Sequence, residues 1–299
     1  MTAGIAAPLQ ELLALRARVP APQPAAHASG MHGGRHAGRL GRGMEFAESR
    51  PYRAGDDVRH IDWRQTARHG RAYTKLFREE HERPVHLLVD LGASMRFGTR
   101  GAFKSVVAAR AAALLAWQAA AAGGRVGGLV CGAVQQQVRP QGRERGALAL
   151  LRQLAAGSQA APLCGDGLGA ALTALARTLR PGSIAVLLSD FDGLDERMAR
   201  DIGALALRND VALVHVHDAF EAEAPPPGNY PVSDGQRDAV LDLRGAAARA
   251  AHAAPFAARR ARLEQLARGA HLRLLPLATH EDASRVLQLL PSLSSLARS

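Results

Sequence analysis

Two short apolar runs that each end in an aspartate constrain the fold of this chain more than any other feature. VHLLVDL covers Val85 to Leu91, and SIAVLLSD covers Ser183 to Asp190. Both runs have strand length and are apolar almost throughout, which is typical of strands buried on both faces of a sheet. Helical stretches of about a dozen residues separate these and further apolar runs. The alternation predicts βαβ units and an α/β fold, with a mostly parallel sheet covered by helices on both faces.

The other elements follow from hydrophobic periodicity and turn residues. Further strands are predicted at residues 126–134, 135–141, 210–218 and 271–277. Helices are predicted at residues 103–122, 145–156, 168–179, 196–207, 249–268 and 282–290. Within residues 221–243, PPPGNYP followed by AVLDL predicts a loop and a small β excursion off the main sheet.

Shifts in composition divide the chain into five segments. Residues 1–19 have the pattern of an amphipathic helix, and residues 20–40 are rich in Pro, Ala, Gly, His and Arg, which is typical of a linker. The remaining boundaries give a polar segment at 41–83, the α/β domain at 84–290 with an insertion at 219–245, and a C-terminal tail at 291–299.

The charge balance favours acidic partners. The formal net charge is +11, and only Lys75 and Lys104 among the 38 basic residues are lysines. Arginine bias can also be an imprint of base composition in the coding DNA. Two cysteines are too few for a disulfide framework or a zinc cluster. With no signal-peptide pattern and no apolar stretch that suits a membrane span, we expect a cytoplasmic protein without a membrane span.

Four oxygen-bearing side chains are candidates for one site. Asp90 and Asp190 end parallel strands, Ser94 follows Asp90 within one turn, and Asp166 precedes a helical stretch. Ligands gather at the carboxyl ends of parallel strands. An oxygen-only set suits Mg²⁺ or Mn²⁺, so these four residues are the predicted metal ligands. In the alternative interpretation, the carboxylates only accept hydrogen bonds from loop amides and helix N-termini.

The run DLGAS, then CGDGLGAAL, then a strand ending in LLSD resembles a von Willebrand factor A domain. The metal-ion-dependent adhesion site of that family has Asp-x-Ser-x-Ser, a Thr before a helix and an Asp after the central strand. By this resemblance Asp90, Ser94 and Asp190 match ligand positions, whereas Gly92 replaces the first Ser and Asp166 replaces the Thr. The resemblance therefore implies a degenerate metal site that can also be empty.

Residues 41–81 resemble the signature of a bacterial family known as "domain of unknown function 58", which precedes a von Willebrand A-like domain. The matching residues are Gly41, Gly43, Glu45, Phe46, Arg50, Tyr52, Gly55, Asp56, Arg59, Ile61, Asp62, Trp63, Ala67 and Arg68. With the downstream domain, the resemblance covers about residues 40 to 290. It implies a non-enzymatic adaptor that accompanies a MoxR-type AAA+ ATPase or its client proteins.

Two interpretations of this segment remain open. Its arginines alternate with acidic residues, so the charges can pair internally while Tyr52 and Trp63 anchor the segment on the sheet. Alternatively the segment is a docking surface, because aromatic and arginine residues dominate protein interfaces. The candidate partner-binding residues are Arg50, Tyr52, Asp56, Arg59, Asp62, Trp63 and Arg68.

Two other function classes compete with the adaptor. A metal-dependent phosphohydrolase would use aspartates at strand ends, but Gly92 stands where a second aspartate is needed, and no lysine is expected at a phosphate-clamping position. The arginine-rich segment could bind nucleic acid nonspecifically, but aromatic residues form only 4% of the chain and no nucleic-acid-binding signature occurs. The sequence therefore favours a protein without enzymatic activity.

Overall fold

The structure is a computed structural model that describes residues 4–21, 44–79, 83–160, 167–223, 225–233 and 238–290. The chain divides into a larger unit, Met1–Gln23 with Arg83–Ser299, and a smaller unit, Pro24–Glu82. Most of the predicted linker and all of the predicted C-terminal tail lie outside the described residues. In the described ranges, no helix is both long enough and apolar enough to cross a membrane.

The helices and strands are numbered in chain order. The strands are β1 Met44–Pro51, β2 Tyr73–Glu79, β3 Val85–Asp90, β4 Arg125–Cys131, β5 Gln136–Gly142, β6 Ile184–Ser189, β7 Asp210–His217, β8 Asn229–Ser233, β9 Asp238–Asp242 and β10 Arg273–Ala278. The α-helices are α1 Leu9–Ala14, α2 Trp63–His69, α3 Lys104–Ala121, α4 Glu144–Gln159, α5 Gly167–Thr178, α6 Glu196–Ala206, α7 Ala219–Ala222 and α8 Ala246–Gly269. Short 3-10 helices span Leu15–Arg18, Val58–His60 and Ala283–Gln288.

A six-stranded sheet in the order β10-β7-β6-β3-β4-β5 forms the centre of the larger unit. All neighbouring strands are parallel except β4 and β5, so β5 is an antiparallel edge strand. An edge strand tolerates Pro140, which cannot donate a backbone hydrogen bond. The sheet confirms the predicted α/β fold with a mostly parallel sheet.

Each face of the sheet has its own hydrophobic core. One core packs α1, α3, α4 and the last 3-10 helix against β3, β4, β6 and β7. The other packs α5, α6 and α8 against the opposite face. Strand side chains alternate between the two faces, so Leu87 and Val89 enter the first core while Leu88 enters the second. Two covered faces explain why these strands are apolar throughout.

Two of the predicted helices are shorter or of a different type in the structure, whereas the predicted β excursion is present. The stretch predicted as a helix at 282–290 forms the 3-10 helix Ala283–Gln288, where the Asp282 carboxylate accepts from the backbone N–H of Ser284 and tightens the first turn. The amphipathic helix predicted for the first nineteen residues is limited to α1 and the 3-10 helix Leu15–Arg18. The predicted β excursion is the antiparallel pair β8 and β9.

Candidate functional site

The carboxyl ends of β3 and β6 form the crevice in which the predicted site residues meet. After β3 the chain crosses to β4 on one side, and it later returns to β6 on the other side, so the crevice lies at a topological switch point. Ligands bind at such points in open parallel sheets. Asp90 is the last residue of β3, and Asp190 directly follows β6. The structure therefore brings together the two aspartates that the sequence predicted to be neighbours.

Asp90 is held by its two neighbours in the crevice. One carboxylate oxygen accepts from the Ser189 hydroxyl at 2.6 Å, and the other accepts from the Gly92 backbone N–H at 2.9 Å. Gly92 has no side-chain hydroxyl, so the loop here contributes an amide rather than a ligand oxygen. Burial raises the pKa of Asp90, and hydrogen bonds from Ser189 and Gly92 oppose that rise without cancelling it. A neutral, protonated Asp90 is thus favoured more than in a solvated carboxyl group.

Asp190 has a different set of partners. Its Oδ1 accepts from the Ser94 hydroxyl at 3.2 Å, and its Oδ2 accepts from the Lys104 ammonium at 2.8 Å. Burial by itself raises the pKa of Asp190, but the charge of Lys104 and its hydrogen bond outweigh burial and lower the pKa overall. The two aspartates of the crevice are therefore shifted in opposite directions, and Asp190 is the one that stays ionised.

Lys104 brings a buried cation into the crevice. It is the first residue of α3, its exposed fraction is 1%, and its Nζ also donates to Glu221 at 2.8 Å. A buried ammonium requires compensating carboxylates, and here it has two. Its Nζ also lies 5.7 Å from the centroid of the Phe97 ring. The crevice thus contains a lysine, but its ammonium donates to Asp190 and Glu221, and the expectation that no lysine clamps phosphate stays a prediction.

Asp218, which follows β7, extends the polar network to the neighbouring strand ends. Its carboxylate accepts from the Thr99 hydroxyl at 2.6 Å, the Thr99 backbone N–H at 2.9 Å and the Thr279 hydroxyl at 2.5 Å. Although burial opposes the change, these hydrogen bonds lower the pKa of Asp218. Asp218 and Glu221 also form a capping box at α7, so Glu221 joins the Asp218 network to Lys104.

The structure describes three of the four predicted metal ligands. Asp166 lies outside the described residues, so its predicted place beside Asp90, Ser94 and Asp190 stays a prediction. In the described ranges, no group of three or more His, Cys, Asp or Glu side chains has the spacing of a metal site. The von Willebrand pattern itself relies on hydroxyl ligands, and Ser94 is the hydroxyl of that pattern that remains.

The smaller unit contains the signature segment, and its three aspartates accept hydrogen bonds from its own backbone. Strands β1 and β2 pair antiparallel. Asp62 caps α2 by accepting from the backbone N–H groups of Arg64 and Gln65, and it also accepts from the Ser49 hydroxyl. Burial opposes the change, but these hydrogen bonds lower the pKa of Asp62. Asp62 is thus buried and holds the backbone of the segment, and its predicted contact with a partner stays a prediction.

Asp56, Arg50 and Tyr52 are likewise used internally. Arg50 donates to Asp56 at 2.7 Å, and the backbone N–H of Arg53 donates to the same carboxylate. The bond from Arg53 and then the bond from Arg50 lower the pKa of Asp56. Tyr52 is half-buried, and its backbone N–H donates to the carbonyl of Ala72. The expected internal pairing of arginine with acid therefore occurs at Arg50 and Asp56.

Trp63, Arg59 and Arg68 have a different environment. Trp63 is the first residue of α2, and 71% of it is exposed. Among the described residues of the smaller unit the buried ones are Asp62 and Thr74, and the role of Trp63 as an anchor on the sheet stays a prediction. Arg59, Arg64 and Arg68 are exposed, and none of them forms an ion pair with another described residue. We call Trp63, Arg59, Arg64 and Arg68 the α2 patch.

Sequence reasoning missed Lys104, Glu221 and Ser189 as members of the crevice. Lys104 is one of only two lysines and lies at the start of the alanine-rich helix, which is a weak sequence signal for a special role. Glu221 lies in the predicted insertion, and no motif marks it. His215 and His217 lie on β7 with ring centroids 5.5 Å apart, and neither forms a hydrogen bond to Asp90 or Asp190.

Comparison with known proteins places the chain in a family. Residues 48–262 match the family described as "Protein of unknown function DUF58". An uncharacterized protein of Mycobacterium tuberculosis is 34% identical over 257 residues, which cover 83% of this chain and 79% of that protein.

Two solved structures have lower similarity. The crystal structure of the conserved hypothetical protein BatB from Bacteroides thetaiotaomicron has a TM-score of 0.49 and 14% identity over 73% of this chain and 100% of that chain. A von Willebrand factor type A structure from Catenulispora acidiphila has a TM-score of 0.34 and 15% identity over 48% of this chain and 35% of that chain. On the strength of the sequence match over more than half of its length, this chain belongs to the DUF58 family of proteins of unknown function.

Proposed function

We propose that this protein is a non-enzymatic adaptor of the cytoplasm that docks an acidic partner protein on the α2 patch. The observation that carries the proposal is the exposed side chain of Trp63 on a helix that also bears Arg64 and Arg68, two exposed arginines that form no ion pair with other described residues. Tryptophan and arginine are the residue types that contribute most to binding energy at protein interfaces. The net charge of +11 further favours an acidic surface as the partner.

The α2 patch is supported by a preformed helix. Asp62 caps the first turn, and Gly70 ends the helix in the left-handed conformation, with a φ of 67°. Because the cap, the Ser49 hydroxyl and the Arg50–Asp56 ion pair all fix this segment, little conformational entropy is lost when a partner binds to it. The segment's internal pairing and its docking role are therefore compatible: some residues hold the backbone and others face outward.

A MoxR-type AAA+ ATPase, or one of its client proteins, is the proposed partner. This identity comes from the resemblance of the signature segment to the family, and the charge of the α2 patch is consistent with it. We expect the bound ATPase to present carboxylates that pair with Arg64 and Arg68 around the Trp63 side chain. Arginine suits that role because its planar guanidinium can bind carboxylates through two hydrogen bonds.

The hydrogen bonds in the crevice support a role without turnover. The Ser94 hydroxyl donates to Asp190, and Lys104 lowers the pKa of that carboxyl, so Asp190 is a weak base for activating the hydroxyl as a nucleophile. Lys104 uses two donors on Asp190 and Glu221 and is buried, so its ammonium does not face an incoming phosphate. The metal-dependent phosphohydrolase is accordingly the weaker alternative.

Direct binding of the purified ATPase tests the proposal. Biolayer interferometry would compare the natural protein with Trp63→Ala and with Arg64→Glu/Arg68→Glu. The matched controls are Leu207→Ala, at a residue with an exposed fraction of 84%, and Arg197→Glu/Arg200→Glu on α6, which makes the same change in charge. We expect the α2 variants to bind about tenfold or more weakly and the controls to bind normally.

Two outcomes would contradict the proposal. One is equal weakening by the α6 and α2 charge variants, since net charge rather than the α2 patch would then govern binding. The other is loss of oligonucleotide binding, with a steep dependence on salt, in the α2 charge variant while ATPase binding is unchanged. That result would favour nonspecific nucleic-acid binding.

A further inference from the structure

We propose that the Lys104 ammonium is a resident cation that takes the place of a divalent metal ion in the crevice. The adhesion sites that the sequence resembles gather oxygen ligands, carboxylates among them, around a metal. Here the carboxylates of Asp190 and Glu221 are gathered around Nζ, each at 2.8 Å. This inference concerns the crevice and is independent of the α2 patch.

The position of Lys104 on its helix is unfavourable unless the lysine has this role. A helix N-terminus carries partial positive charge, so acidic residues are preferred there and a cation is disfavoured. Helix α3 has 18 residues, no acidic residue in its first turn and a lysine at its first position. Burial to an exposed fraction of 1% adds a desolvation penalty for the ammonium. The two carboxylates compensate both effects, and Lys104 in turn neutralises them.

The hydrogen-bond pattern of the crevice does not fit a divalent ion alongside Lys104. A metal ligated by Asp190 would lie within a few ångströms of Nζ, and two cations in a buried environment repel strongly. One hydroxyl of the adhesion pattern is missing at Gly92, and both oxygens of Asp90 already accept hydrogen bonds.

The Lys104 ammonium also links α3, the end of β6 and α7 through its hydrogen bonds. Asp190 follows β6, Lys104 begins α3, and Glu221 belongs to α7 after β7. The capping box between Glu221 and Asp218 continues the network to Thr99 and Thr279. One fixed charge therefore links the loop after β3 and the ends of β6, β7 and β10. The crevice is thus closed by the chain's own residues and does not depend on a metal supply.

Manganese binding to the full chain tests this inference, because Mn²⁺ is detected directly by electron paramagnetic resonance. Chelator-treated natural protein, Lys104→Ala and Gly92→Ser/Lys104→Ala would be titrated with Mn²⁺, with Lys104→Arg as the control that keeps the charge. We expect no binding by the natural protein or Lys104→Arg at millimolar Mn²⁺. Removal of the ammonium should leave the carboxylates unneutralised, so both alanine variants should bind Mn²⁺ at concentrations about tenfold or more below those at which the natural protein shows no binding, with a rise in melting temperature.

Stoichiometric Mn²⁺ binding by the natural protein that Asp190→Ala abolishes would overturn the inference. Failure of both alanine variants to gain binding would also overturn it, because the exclusion of metal would then not depend on Lys104. If Lys104→Ala does not fold, Lys104→Gln keeps a polar side chain of similar length and is expected to gain Mn²⁺ binding in the same way. None of these results depends on binding of the ATPase, so the adaptor proposal and this inference can fail separately.

Discussion

The Lys104 ammonium lies 2.8 Å from the Asp190 carboxylate, and both side chains are only about 2% exposed. Removing one member of a buried ion pair leaves an uncompensated charge, which typically costs about 3–5 kcal/mol. We expect Asp190→Asn to lower the free energy of unfolding by about 3 kcal/mol, at the lower end because Glu221 still holds Lys104. Urea unfolding followed by circular dichroism measures this change.

The double variant Lys104→Met/Asp190→Asn separates pairing from packing. If the two residues interact as the structure indicates, the double variant loses less stability than the sum of the two single variants. We expect a coupling of about 1–3 kcal/mol. Strict additivity would show that the pair does not act as a unit.

Asp90→Asn should have the opposite effect to Asp190→Asn, although the two substitutions are chemically identical. Burial raises the pKa of Asp90 above its ordinary value of 3.8. The protonated carboxyl group therefore contributes fully to the free energy of unfolding below about pH 3.8, and this contribution is lost as the pH rises through the pKa of the folded state. Near neutral pH an ionised Asp90 therefore lowers stability. Asparagine removes that charge while its carbonyl can still accept from the Gly92 N–H.

We therefore expect Asp90→Asn to raise the melting temperature near neutral pH, by an amount that shrinks as the pH approaches 4. Thermal unfolding of both proteins across this pH range measures it. A lower melting temperature for Asp90→Asn near neutral pH would contradict the direction of the Asp90 pKa shift.

The arrangement of Asp90 and Asp190 was predictable because strand direction alone determines it. Parallel strands end on the same edge of a sheet, so aspartates after two apolar runs meet there whatever the intervening chain does. The same reasoning could not find Glu221, which approaches the crevice through the short helix α7 in a segment that carries no motif.

Lys104 and Trp63 show where residue type is a poor guide to burial. A lysine at the start of a helix usually lies in solvent, and a tryptophan in a polar segment usually anchors it. Here Lys104 is buried, and two carboxylates from distant parts of the chain compensate its charge. Trp63 begins a helix and is exposed, whereas Asp62, which caps that helix, is buried. Both exceptions depend on long-range packing, which local sequence patterns do not encode.

Two buried histidines should make stability fall as the medium becomes acidic. Burial lowers the pKa of His86 to about 4 and that of His215 to about 3, while the unfolded chain binds protons near pH 6.5. Because both pKa values are lowered, the two neutral histidines make their full contribution to the free energy of unfolding above pH 6.5. That contribution is lost as the pH falls toward their pKa values in the folded state. Each histidine should contribute a slope of about 1.4 kcal/mol per pH unit in that window.

His215→Phe tests that slope. The ring of His215 stacks on Phe256 with centroids 5.4 Å apart, and its Nε2 has no hydrogen-bond partner among the described residues. Phenylalanine keeps the stacked ring and binds no proton, so the slope between about pH 6 and pH 4 should decrease by about 1.4 kcal/mol per pH unit. Denaturant titrations at a series of pH values measure it, and an unchanged slope would show that His215 titrates alike in both states.

The close contact of β3 with β4 requires glycine at position 128. Gly128 pairs with Leu87, and a Cβ on Gly128 would overlap the carbonyl oxygen of Leu87 and lie 2.8 Å from its backbone nitrogen. Neither backbone atom can rotate away, in contrast to a side chain. We expect Gly128→Ala to destabilise the fold by about 3 kcal/mol, as overpacking of a core does. Gly142→Ala is the matched control in β5, because a Cβ there meets no atom within 4 Å. Equal unfolding free energies for the two variants would show that the sheet can separate here at no cost.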